Sequence, residues 1–135
     1  MANLRNFVWS GLRSGSPLDF YKAGILIGKG KVNTLEPLHL SVTGKLAGLI
    51  EGTVEIKMPD ESPRGRCTVK GPGDKEPVEA DYHTEGGRLK IAYKGGIELY
   101  DHDRKYSWIG YGIFGWVGAW PEGEEVSAGV APHEQ

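Results

Sequence analysis

The chain has 135 residues, 39% of them apolar and 25% charged. That is one domain's worth of polypeptide with enough apolar side chain to build a core, and it excludes wholesale disorder. A net charge of −2 gives no electrostatic ground for nucleic-acid binding, and no run approaches the roughly eighteen apolar residues of a membrane-spanning helix. Glycine is the outlier. Its 21 residues are about double the usual share and follow no period, which excludes collagen and disfavours long helices.

In chain order, Leu4, Phe7, Val8 and Leu12 fit one face of a short N-terminal helix capped by Asn3, although Phe7-Val8-Trp9 is also good strand material. Ser16-Pro17 through Gly24 carries the cap, first-turn proline and closing glycine of a short helix, and suits a strand equally well. The expectation is a strand from about Ala23, with residues 1–22 left unassigned. Gly28-Lys29-Gly30-Lys31 lacks the spacing of a phosphate-binding loop and reads as a basic turn ending that strand.

Periodicity is clearer further on. Leu38, Leu40 and Val42 alternate with His39, Ser41 and Thr43, as in a half-buried antiparallel strand. Thr43-Gly44-Lys45 then reads as a turn, and the stretch from Leu46 to Met58 puts Ile50, Val54, Ile56 and Met58 on one face. Residues 59–65, with two prolines, are expected as an exposed loop. Further strands are expected at Cys67–Lys70, Val78–Thr84, Arg88–Tyr93, Gly96–Tyr100 and Tyr106–Trp120. They are separated by turn residues at Glu85-Gly86-Gly87, Lys94-Gly95-Gly96 and Asp101-His102-Asp103-Arg104.

These elements imply an all-β domain over residues 1–120: an antiparallel meander of about seven to nine strands, closed as a calycin-like barrel or packed as a sandwich. Residues 121–135, rich in Glu, read as an acidic, solvated tail. Lipocalins begin with a Gly-x-Trp motif, which is missing here because Phe7-Val8 precede Trp9. Met-Ala-Asn-Leu-Arg-Asn lacks the apolar stretch of a secretory leader, so the expected location is cytoplasmic. Cys67 is the only cysteine, set in strand-like sequence, and is expected as a small buried hydrophobe.

The segment from Ser107 to Trp120 departs from simple alternation, because both faces of such a strand would be apolar. Core packing, a subunit interface and a ligand-binding wall all account for that. If it is a wall, Trp108, Tyr111, Phe114, Trp116 and Trp120 are the candidate ligand-binding residues. His and carboxylates crowd together only at Asp81-Tyr82-His83 and Asp101-His102-Asp103. His83, Asp101, His102 and Asp103 are therefore the weak candidates for a metal or a His–carboxylate pair, although their spacing matches no metal signature. No catalytic nucleophile motif occurs, and no cofactor is implied.

Three functions follow in order of preference. The first is a non-enzymatic module that binds a small apolar or aromatic-friendly ligand. The second is an assembly protein that self-associates through the Trp/Gly-rich segment, and the third is a small His/Asp enzyme. No membrane or nucleic-acid partner is expected.

Overall fold

The computed structural model describes residues 3–8, 11–46, 51–100, 109–111 and 117–123, with the backbone alone for 109–111. A four-residue 3-10 helix, Leu4–Phe7, is followed by ten strands. They are β1 (Pro17–Lys22), β2 (Ile25–Glu36), β3 (His39–Leu46), β4 (Glu51–Lys57), β5 (Arg64–Lys70), β6 (Val78–Glu85), β7 (Arg88–Ile91), β8 (Ile97–Tyr100), β9 (Ile109–Tyr111) and β10 (Val117–Pro121). Every strand pairs antiparallel with its sequence neighbours, and β1 pairs with β10 as well as β2, so the meander closes into a barrel. Closure leaves no open sheet edge in the ring.

The all-β meander is as expected, with more strands than the alternation implied. The expected single strand over 106–120 is two, because β9 and β10 fold back on each other with Tyr111 opposite Val117 and Gly110 opposite Gly118. The helix alternative for Ser16–Gly24 is overturned. That stretch is β1, and the strand expected from Ala23 begins instead at Ile25, after a turn in which Ala23 (φ 50°) and Gly24 (φ 78°) both take positive φ. Two consecutive positive φ values match the right-handed twist of the flanking strands.

Two further expected turns are strand interior. Gly28-Lys29-Gly30-Lys31 lies within β2, and Thr43-Gly44-Lys45 lies within β3, where Gly44 pairs with Gly30 on one side and Gly52 on the other. β5 starts at Arg64, inside the expected loop. The hairpins at Gly86-Gly87 and around Lys94–Gly96 occur as expected; that at Asp101–Arg104 lies outside the described residues.

Residues of one parity on each strand fill the barrel. Leu18, Val32, Leu40, Ile56, Val69, Leu89 and Leu99 are at most 1% exposed. The N-terminal turn closes one end. Asn3 caps it by accepting the Arg5 N–H, the Leu4 N–H donates to the Pro37 carbonyl, and Leu4, Phe7 and Val8 join the core cluster. The expected helical face of residues 4–8 is thus a single buried turn.

Candidate functional site

Connectivity gives the barrel two distinct ends. The β2–β3, β4–β5 and β6–β7 connections lie at the end capped by the N-terminal turn, here the lower end. The described β1–β2, β5–β6 and β7–β8 connections lie at the other, the upper end.

The inner wall changes character between the two ends. On β2, β3 and β4 the inward positions run Val32, Val42 and Ile56 below, then Gly30, Gly44 and Gly52 above, and these three glycines pair in one row across the strands. Three adjacent strands therefore present bare backbone to the interior. Phe20 of β1 lies across this wall, with its ring against Gly30 and Gly44, and Pro72 packs against Gly52. Inward Phe20 and Leu46, and Val54 one row below the glycines, are half-buried, whereas Val32, Leu40 and Ile56 are sealed from water. The three exposed large hydrophobics among the described residues complete the pattern. Ile25 (67% exposed) and Leu26 (48%) sit at the β1–β2 tip, and Val78 (42%) begins β6. All three are at the upper end. A barrel mouth with apolar walls is a recurrent ligand-binding position.

Polar bonding holds one side of this mouth in shape. Asp74, in the β5–β6 connection, accepts from the Tyr93 hydroxyl, from the Gly71 N–H at 2.9 Å and from Lys94 Nζ at 3.1 Å. The Tyr93 hydroxyl, the Gly71 amide and Lys94 together hold the Asp74 carboxyl down at about 2. This carboxylate ties the β5–β6 connection to the β7–β8 connection. Gly71 is required at this latch, because a Cβ there would meet the Tyr93 hydroxyl.

No family model, curated protein or solved structure matches this chain. What the barrel binds or does must therefore be argued from its own residues.

Trp120 is the one sequence-predicted ligand-binding residue whose side chain is described. It is 1% exposed, lies opposite Asp19 in the β1–β10 ladder and meets Tyr21 edge-on at 5.5 Å. Its neighbour Ala119 belongs to the interior cluster, so alternation puts Trp120 on the outer face of β10. Beside it, Asp19 is 5% exposed, accepts from Lys29 Nζ at 2.8 Å and accepts from the Gly123 N–H at 3.1 Å. Asp19 therefore fixes the end of β10 to the β1–β2 hairpin, and Glu122 and Gly123, assigned by sequence to the tail, bond to β1. Tyr111 is described by backbone alone, while Trp108, Phe114 and Trp116 lie outside the described residues.

Of the two His–carboxylate triplets, Asp81-Tyr82-His83 is described. Asp81 bonds Arg66 at 3.1 Å, Tyr82 is buried and donates to the Ser62 carbonyl at 2.8 Å, and His83 meets Glu85 at 3.3 Å. These are three separate contacts on one strand. Asp101, His102 and Asp103 lie outside the described residues. Among the described residues no three His, Cys, Asp or Glu side chains gather in a metal-binding cluster, and no helix is long and apolar enough to cross a membrane. His39 pairs with Glu55 at 3.0 Å on the outer face of β3 and β4. Cys67 is buried as expected, and loss of solvent pushes its thiol up to about 11, which makes it a poor nucleophile near neutral pH.

The sequence missed the glycine wall. The signal was there in Gly28-x-Gly30-x-Val32, Val42-x-Gly44 and Gly52-x-Val54-x-Ile56, where the glycines share parity with the core residues. Reading Gly44 as a turn concealed it.

Proposed function

We propose that this protein is a non-enzymatic binding module that takes a small apolar ligand into the upper end of its barrel. The observation that carries this reading is the concentration of all the exposed large hydrophobics of the described chain at one end. The half-buried inward residues and the glycine row, overlain by Phe20 and Pro72, lie at the same end. Phe20, seated over Gly30 and Gly44, supplies an aromatic face, and Leu46 and Val54 supply aliphatic contact. On this reading Trp120 braces the wall from outside and does not touch the ligand.

Backbone amide spectra of isotope-labelled protein, titrated with a panel of small apolar compounds, test the proposal. Saturable shifts should cluster on residues 20–30, 44–46, 52–54 and 78. Shifts confined to the lower end, or none across the panel, would overturn it.

A further inference from the structure

We infer that Phe20 is the gate of this mouth: its ring fills the seat over Gly30 and Gly44 and must swing aside before an apolar ligand can reach that wall. The inference rests on the binding reading above and concerns how the same site opens. Three side chains cover the glycines of the upper wall. Leu46 lies against Gly28, Phe20 against Gly30 and Gly44, and Pro72 against Gly52.

These covers are not held alike. Pro72 sits in a turn closed twice over, by the Asp74 N–H on the Gly71 carbonyl at 3.1 Å and by the Gly71 N–H on the Asp74 carboxylate at 2.9 Å. Asp74 is tied in turn to Tyr93 and Lys94. Leu46 stands opposite Gly28 in the β2–β3 ladder, so backbone pairing fixes it. Phe20 has neither restraint. Its ring carries no polar atom, and it lies on the backbone of two glycines, where no side chain interlocks with it. It packs at the margin of the sealed core and is half-buried, whereas Leu18, the preceding inward residue of β1, is 1% exposed. The register of β1 against β2 also shifts between Phe20 and Tyr21, and such a bulge re-aims the side chains beside it. Rotation about two side-chain torsions therefore lifts the ring without moving the sheet. Swung aside, it uncovers a seat with the footprint of a benzyl group and still presents a face to the ligand.

Toluene, the Phe20 side chain as a free molecule, is the probe, titrated into the intact protein and into Phe20→Ala and followed by NMR. In the unliganded native protein the Phe20 ring protons should show NOEs to the α-protons of Gly30 and Gly44. Saturation with toluene should abolish these and replace them with NOEs from toluene to the same α-protons. Association with Phe20→Ala should be faster than with the native protein by about tenfold or more, because the native seat is open only while the ring is aside. A ring that merely lines the wall would weaken binding on removal without speeding association. Toluene bound at the upper end with the Phe20 contacts to both glycines intact, or with equal association rates, would overturn the gate and leave the apolar-ligand reading standing. Absence of toluene binding to both proteins would also overturn the gate, and the wider panel of apolar compounds then decides the binding reading separately.

Discussion

The ring of Phe20 lies over the Cα of Gly44, where an added Cβ would stand 3.0 Å from Phe20 Cζ. At the facing Gly30 a Cβ would collide with the backbone carbonyl of Thr43 as well as with the same ring. The two glycines should therefore respond differently to substitution. Gly44→Ala presses only on a half-buried side chain and should cost about 1 kcal/mol, whereas Gly30→Ala must displace backbone and should cost about 1–3 kcal/mol. Phe20→Leu should recover most of the Gly44→Ala loss and little of the Gly30→Ala loss. Denaturant unfolding of the single and double variants measures the coupling, and equal rescue of both glycines would show that Phe20 does not define this wall.

Asp74 gives the upper end a pH dependence whose sign is fixed by its bonding. Its carboxyl is held at about 2, below the roughly 3.9 of an unfolded chain. The folded state therefore favours the carboxylate, and the stabilisation is complete above about pH 4. It is lost progressively as pH falls through about 2. Asp74→Asn should flatten the acid limb of the stability curve in that window. Tyr93→Phe, which removes the buried donor, should cost about 1–2 kcal/mol at neutral pH. Thermal melts between pH 2 and pH 7 read both effects, and an unchanged acid limb in the Asn variant would show that the latch contributes nothing.

How much of this was legible beforehand depended on how strictly each segment alternates. Around Leu40, Val42, Val54 and Ile56 the period of two is strict, and strands, faces and core membership all came out of it. Between Pro17 and Lys22 two inward residues, Leu18 and Phe20, flank the buried outward Asp19. A Ser-Pro opening and a Gly close there imitate a helix, so local signals favoured neither structure. Gly44 misled for a related reason. A glycine that signals a turn by composition can instead mark a point in mid-strand where another group comes close, and only the partner strands decide which. Burial of Trp120 on the outer face could not be read locally at all, since it follows from the β1–β10 closure that joins the two ends of the chain.

Cys67 offers a direct measure of how tightly the sealed half of the barrel is packed. It is 2% exposed, and desolvation raises its thiol to about 11. Folding therefore favours the neutral thiol, and that contribution is complete below about pH 9 and lost as pH rises towards 11. At pH 8 the native protein should be inert to a thiol-reactive dye for hours, and the denatured protein should react within minutes. Fast labelling of native protein would place the thiol in an open space and contradict the filled lower interior.

Substitutions at the exposed tip of the β1–β2 hairpin and on the outer wall formed by β1 and β10 separate binding from bracing. Ile25 and Leu26 are largely exposed, so Ile25→Asn and Leu26→Asn should each change stability by no more than about 0.5 kcal/mol. If these side chains line the path of an apolar ligand, removing them costs buried contact, and the pair together should weaken binding about tenfold, as expected for losing roughly 1.4 kcal/mol. Trp120→Leu should do the reverse. It empties space beside Tyr21 and Asp19 and should destabilise the fold by about 1–3 kcal/mol, with the affinity of the remaining folded protein unchanged. Calorimetric affinity and denaturant stability, measured on the same samples, form the comparison. If Trp120→Leu abolished binding while I25N/L26N left it intact, the ligand would lie on the outer wall of β10 and β1, and the mouth of the barrel would not be the site.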